Sequence, residues 1–335
     1  MTQAALESWA QERGATPGAA RALARHLIAS FAGRKNDEHP SRVLLEEAAQ
    51  FERELPRYEA IEDRDGTVRF AITLGGELVE AVLIRQPGRE TVCVSSQVGC
   101  ARGCVFCETG RLGLVRNLTA AEIVSQYAVA AGSAKARPTN VVFMGMGEPL
   151  DNLDEVIRAI EVLREPSGFA VPERRITVST VGIVPKLPEL FARTRAQVAV
   201  SLHSIEERQR LALLPVARRW PLAELRAAIA SAPRSVLLQW TLIEGVNDSL
   251  AQAERLASFA QGLDVRVNLI PLNPGPIAAQ RAPPVAHCRA FQKRLADLGV
   301  RALLRLPHGQ ESFGACGQLA GSRRALLQSQ ESAER

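Results

Sequence analysis

Aromatic residues are scarce, at 4% of the 335 residues, with only 2 Tyr and 3 Trp. Because 46% of the chain is still hydrophobic, its core must be built from Leu, Val, Ile and Ala. No uninterrupted apolar run reaches the ~20 residues that a membrane-spanning helix needs. The opening stretch MTQAALESWAQERG carries acids and has no hydrophobic signal core, so it does not read as a secretion signal. These absences predict a cytoplasmic chain with no membrane segment. Lysine is nearly missing as well, occurring only at Lys35, Lys135, Lys186 and Lys293, so the net charge of +5 is carried almost wholly by arginine. Two readings of that bias stand side by side. Arg and Ala rise together in GC-rich coding DNA, and Arg also binds phosphate through bidentate contacts.

What is present is an ordered alternation of elements. Residues 1–50 read as helical, from ALESWAQERG through GAARALARHLIASFAGR, with Gly33 as a stop; SRVLLEEAAQFERELP reads as a further helix ended near Pro56. This predicts a small helical accessory domain over 1–60, either a cap on the main domain or a unit touching nucleic acid. A β-hairpin extension over 61–90 follows. Its arms, 67–74 and 77–85, are β-prone, and Gly75-Gly76 between them can take positive φ. From 91 to 325, short apolar strands (91–97, 140–145, 175–180, 197–202, 236–242 and 265–270) alternate with helices (119–132, 152–164, 185–194, 221–231, 249–262 and 286–298). Such alternation predicts an α/β fold with a parallel sheet and crossover helices. Six units predict an incomplete (β/α)6 barrel rather than a closed eightfold one, with a last strand at 301–306. The Pro-rich loop 271–284 follows a strand, at the end where barrel active sites lie.

Three of the six cysteines crowd into Cys100-Ala101-Arg102-Gly103-Cys104-Val105-Phe106-Cys107. In a cytoplasmic chain of this size such a cluster reads as metal binding or catalysis, not as a disulfide framework. Three thiolates can hold three irons of a [4Fe–4S] cluster and leave the fourth open. S-adenosylmethionine (SAM) can occupy that iron through its amino and carboxylate groups, and an electron from the cluster can then split its sulfonium C–S bond. The competing reading is zinc, which normally takes four tetrahedral ligands; no neighbouring Cys or His pair supplies them, so the spacing matches an open cluster better.

Further stretches occur with the triplet in a fixed order. They are Cys93-Val94-Ser95-Ser96-Gln97-Val98-Gly99-Cys100, Thr109-Gly110, Arg116-Asn117-Leu118-Thr119, Gly145-Met146-Gly147-Glu148-Pro149-Leu150, Arg175 to Thr180, Ser201-Leu202-His203, Gly245-Val246-Asn247-Asp248, Asn268 to Pro271, and Ala315-Cys316-Gly317-Gln318-Leu319. Together they resemble the RlmN/Cfr family of radical SAM RNA methyltransferases over roughly 78–321. The resemblance implies a radical SAM barrel, one [4Fe–4S] cluster on Cys100, Cys104 and Cys107, and SAM as the second cofactor. It implies methylation of carbon 2 of an adenine in RNA, with 23S rRNA as the leading substrate and tRNA as the alternative. Carbon 8 of adenine, or a different RNA, is the runner-up. A non-catalytic Fe–S protein needs only the triplet and leaves the other motifs unused. An electron donor such as flavodoxin and a monomeric state are part of the same expectation.

The resemblance also assigns residues. Cys316 would carry a methyl group taken from one SAM. A second SAM, cleaved reductively, would take a hydrogen from that S-methyl group, and the resulting carbon radical would add to the base. Cys93 would then release the product by disulfide formation with Cys316. Glu80, thirteen residues before Cys93, falls at the position of a general base; its alternative is an exposed strand glutamate. Gly147 and Glu148 match a site for the SAM amino group. Ser179, Ser201, Leu202, His203 and Asn273 match its other contacts. Cys288 matches nothing and reads as structural. Arg102, Arg111, Arg116, Arg208, Arg210, Arg218 and Arg219 are candidates for phosphate contact, although any of them can equally be a solvated side chain. Two stretches depart from the family pattern. The segment before Cys316 is His308-Gly309-Gln310-Glu311-Ser312-Phe313-Gly314, where the family usually begins Gly-Asp. Residues 14–50 also lack the family's aromatic-rich stretch.

Overall fold

The computed structural model describes residues 3–32, 37–48, 55–273 and 280–319. Gly33, the continuation of the third helix over 49–54, and residues 274–279 of the Pro-rich loop lie outside the described residues. Three N-terminal helices come first: α1 (Gln3–Gln11), α2 (Pro17–Phe31) and α3 (Arg42–Ala48). Thr16 starts α2 by accepting a hydrogen bond from the Ala19 N–H at 3.3 Å, with Pro17 in the first turn where no N–H is needed. Ala10, Ala20, Leu23, Leu44 and Ala48 bury one another in a small core of their own.

The rest is organised on one ten-stranded sheet. Its first four strands are β1 (Tyr58–Glu62), β2 (Val68–Leu74), β3 (Glu77–Gln86) and β4 (Arg89–Cys93), paired antiparallel in that order. Gly75 and Gly76 both have positive φ, +57° and +91°, as the turn between β2 and β3 requires. The sheet then becomes parallel. A short two-stranded ladder, β5 (Gln97–Cys100) with β6 (Gly113–Asn117), brackets α4 (Glu108–Arg111) outside it. Next come α5 (Ala120–Gly132), β7 (Asn140–Phe143), α6 (Leu153–Arg164), β8 (Ile176–Thr180), α7 (Leu187–Arg193), β9 (Gln197–Ser201), α8 (Glu207–Leu213), α9 (Leu222–Ala230), β10 (Val236–Leu242), α10 (Leu250–Ala260), β11 (Val265–Pro271), α11 (Val285–Asp297) and β12 (Ala302–Leu304). The parallel strands run in the order β4-β7-β8-β9-β10-β11-β12; β1 and β12 form the two edges, so the sheet does not close on itself. This is the incomplete α/β barrel that the alternation predicted.

Strand alternation divides the sheet into two faces. Phe70, Ile72, Leu74, Val79, Ala81, Leu83 and Val92 point toward Tyr127 and the other buried residues of α5, within the main aliphatic core. The opposite face is the inside of the barrel. On it, Arg69 stands opposite Val82, and Val82 opposite Cys93. The hairpin at 61–90 is therefore not an appendage to the sheet but its antiparallel end.

The sequence reading ran β4 on to residue 97; the strand stops at Cys93. The Ser95 hydroxyl leaves the ladder to donate to the Glu80 carbonyl at 2.6 Å and accepts from the Met146 N–H at 2.8 Å. β1, β5, β6, α4 and α8 were not foreseen. β1 and β6 are almost wholly exposed, so neither carries the alternation that marks a half-buried strand.

Candidate active site

The strand order places the ends of β7 to β11 around one open cavity. Its floor and walls include Cys104, Cys107, Gly147, Glu148, Ser179, Ser201, His203, Asn273 and Cys316. Nine residues singled out from six separate stretches of sequence thus meet in one place. Four others do not line it. Leu202 is fully buried in the core. Cys100, Cys93 and Glu80 are buried behind the wall. Phe106, Met144, Gln239 and Thr241 also line the cavity and were missed. Gln239 and Thr241 are two apart on β10, and polar residues at that spacing in VLLQWTL were the available signal.

Several motifs are explained by how they hold the walls. Gly147 has φ +103°, and a Cβ there would sit 2.7 Å from Gln97 Cβ. The Gln97 side chain accepts from the Glu148 N–H at 2.8 Å. Only glycine allows the two loops to interlock so closely. Glu148 is buried, and its oxygens accept from the Leu150 N–H at 3.0 Å and the Val181 N–H at 2.8 Å. Burial nevertheless pushes its carboxyl up to about 7. Gln239 accepts from Ser179 Oγ at 2.6 Å and from Ser201 Oγ at 3.4 Å. His203 has positive φ, +55°, held in place by Asn247, whose Nδ2 donates to the His203 carbonyl at 2.7 Å and the Thr241 carbonyl at 2.8 Å. Its ring Nδ1 accepts from the Thr241 N–H at 2.9 Å, and burial drives its pKa down to about 3.

The cysteine loop is fastened on two sides. Val105 N–H donates to the Leu213 carbonyl at 3.1 Å, and Glu108 N–H to the Gly317 carbonyl at 2.8 Å. The Thr109 hydroxyl donates to the Leu319 carbonyl at 2.5 Å. A Cβ at Gly110 would stand 3.0 Å from the Cys104 nitrogen, which accounts for glycine there. Cys316 opens into the cavity, and its carbonyl accepts from Asn273 Nδ2 at 3.3 Å. Although exposed there, it is ringed by protein, and this raises its thiol pKa, with Cys107 adding to the shift. Cys93 is buried among Val82, Met146 and Leu319, and its thiol is raised by burial first and then by nearby Cys316.

Burial raises all three triplet thiols, and they repel one another: Cys107 and Glu148 add to the rise of Cys100 to about 11, and Cys107 and Cys100 to that of Cys104. Beneath them lies Arg210. It is fully buried, donates to the Val181 carbonyl at 3.0 Å, and feels Cys104 electrostatically. Its Nε and Nη1 have no partner among the described residues. A buried cation with unused donors beside a thiol-lined cavity is the environment that an anionic thiolate-bound group needs. The donor set thus fits a [4Fe–4S] cluster on Cys100, Cys104 and Cys107, with one iron left open. Among the described residues, no three His, Cys, Asp or Glu side chains meet as ligands of a single metal ion.

Some arginines proposed as phosphate contacts are engaged internally. Arg102 pairs with Asp151, and Arg116 holds Glu77, Glu122 and the Leu74 carbonyl. With Arg210 buried, that leaves the exposed Arg208, Arg218 and Arg219, and Arg111, which lies near Glu108. Among the described residues no helix is long and apolar enough to cross a membrane.

Comparison with known proteins gives three findings. The Radical SAM superfamily matches residues 94–257. A dual-specificity RNA methyltransferase RlmN of Syntrophobacter fumaroxidans is 42% identical over 94% of this chain and 95% of its own length; one of Syntrophotalea carbinolica is 40% identical over 98% and 89%. The crystal structure of a radical SAM methyltransferase from Sphaerobacter thermophilus superposes with a TM-score of 0.87 at 38% identity, covering 96% of this chain and 98% of that one.

Proposed function

The chain belongs to the radical SAM superfamily and, within it, to the RlmN family of RNA methyltransferases, and from that premise we propose that it methylates carbon 2 of an adenine in RNA through an S-methyl group carried on Cys316. The observation that carries this reading is the position of Cys316. It reaches the same cavity as Cys104, Cys107 and Glu148 from a loop more than 160 residues later in sequence. The aromatic carbon to be methylated is electron-poor and cannot attack a methyl cation donor, so a carrier thiol and a radical route are needed. When bound, the cluster and SAM supply the methyl group and a one-electron cleavage of a C–S bond.

The chain's own residues do the rest. Cys100, Cys104 and Cys107 hold the cluster, and Arg210 balances their charge from below. Glu148 receives the SAM ammonium, and Gly147 gives it room. Ser179, Ser201, His203 and Asn273 surround the remainder, with Gln239 orienting the two serines. Leu202 contributes its backbone, whose N–H donates to the Gln239 carbonyl at 2.9 Å, rather than its side chain. Once the base is attached and the adduct has given up its carbon-2 proton and its unpaired electron, the latter to the cluster when bound, Cys93, next to Cys316 and shielded from solvent, attacks the Cys316 sulfur. The S–S bond forms as the S–C bond to the RNA adduct breaks, leaving the electron pair and then a proton on the product side. 23S rRNA is the leading substrate, and tRNA the alternative. The Cys316→Ala variant tests the reading: it should retain iron and SAM cleavage yet transfer no methyl to RNA, and an active Cys316→Ala enzyme would sink it.

A further inference from the structure

The loop that carries Cys316 departs from the family pattern over 308–314, and the structure shows where it is fastened. It rests on the β1–β2 turn and the barrel-facing side of β2 and β3. Asp65 accepts from the Gly309 N–H at 3.0 Å, and Asp63 accepts from the Glu311 N–H at 3.1 Å. Deeper in, Arg69 donates to the Ser312 carbonyl, while its Nε donates to Glu80 at 2.8 Å and its Nη2 to the same carboxylate oxygen. Both side chains of this ion pair are fully buried. In the register, Ala71 faces Glu80 and Val82 faces Arg69, so the two are diagonal neighbours on the barrel face. One residue beyond Ser312, Phe313 has φ +56°, a strained conformation for a bulky side chain that persists only when its surroundings fix it.

Glu80 also reaches the opposite wall. Its carbonyl accepts from Ser95 Oγ, which in turn receives the Met146 N–H, one residue before Gly147. The side chain thus anchors the loop of Cys316 through Arg69, and the main chain anchors the wall of Gly147 and Glu148. We infer that Glu80 and Arg69 form a buried clamp that positions Cys316 over the cavity, so that Glu80 is a positioning residue rather than a proton-transfer group. This rests on the reading of Cys316 as the methyl carrier. A carboxylate whose oxygen is shared by two guanidinium donors is poorly suited to take a proton from a substrate, and well suited to fix the loop in one register.

The test uses the full-length, cluster-loaded protein without RNA, and reads amide hydrogen exchange over 309–316. In Arg69→Met/Glu80→Leu, an apolar pair of similar size replaces the ion pair, which keeps the fold while removing the tie to Ser312. Exchange in 309–316 should rise by about tenfold or more, the loss expected for one charge-assisted hydrogen bond, while amides of β10 stay as they were. Glu80→Gln, which keeps the shape, should raise exchange in the same segment and carries the test if the double variant does not fold. With RNA added, both should cleave more SAM per methyl transferred. If exchange in 309–316 is unchanged while Glu80→Gln abolishes methyl transfer, Glu80 moves a proton and the clamp is wrong. The exchange result does not depend on RNA, so a chain that methylated nothing would still reveal whether the clamp exists.

Discussion

His203 shows how burial sets chemistry at the level of one side chain. Its neutral ring accepts a backbone N–H at Nδ1, and its pKa lies near 3. The unfolded chain, with an ordinary histidine pKa of about 6.5, binds a proton that the folded one refuses. Stability from this group is therefore fully present above pH ~6.5 and is lost as pH falls toward 3. At pH 5 the loss relative to pH 7 should be about 2 kcal/mol. Denaturant unfolding of the wild type and of His203→Asn, which keeps an acceptor near Nδ1, measures this: the variant should show the smaller drop between pH 7 and pH 5. Equal drops would mean that the ring is not held neutral. The same scale limits what sequence can reveal. The cysteine triplet announces itself by residue type and spacing, whereas Cys316 and the Gly147-Glu148 pair stand out only through the family resemblance. Arg69 does neither, because its partner Glu80 is identified only by a strand register that places the two diagonally across a hairpin.

At the level of elements, the helices were legible because their ends carry local chemistry. Thr119 caps α5 in a capping box with Glu122, and Ser249 caps α10, so both starts could be read to within a residue or two. β5, β6 and α8 were not legible, since they are short and shaped by the loop they hold rather than by a repeating apolar pattern. The 308–314 loop belongs to this second class, and its glycines are informative. Gly309 has φ +71°, and a Cβ there would lie 2.8 Å from Thr67 Cγ2. Gly309→Ala should therefore cost more than the ~1 kcal/mol of backbone strain alone and slow methyl transfer. Adding Thr67→Ser removes the opposing methyl and should recover part of both losses, as thermal unfolding and single-turnover rates would show. A Gly309→Ala protein with unaltered rate and stability would mean that the loop is free to move.

Across the whole molecule, three of the exposed arginines lie in segments that touch the cysteine loop. Arg208 lies on α8, whose last residue, Leu213, holds the cysteine loop, and Arg218 and Arg219 follow Pro215, against which a Cβ at Gly103 would rest at 3.9 Å. These exposed arginines flank the outer side of the cluster loop. Replacing all three with Gln should weaken RNA binding at moderate salt and shallow its salt dependence, by up to ~0.7 per lost contact on single-stranded RNA. An unchanged slope would move the RNA path elsewhere. The central claim, transfer through an S-methyl group on Cys316, has a more direct test. The cluster-loaded enzyme is given reductant, unmodified RNA and SAM deuterated at its methyl group, and the methylated nucleoside is weighed. Passage through Cys316 strips one hydrogen isotope from the methyl group, so the adenosine product should carry two deuteriums and one hydrogen at carbon 2. A product retaining all three deuteriums would mean direct displacement from SAM and would contradict the account.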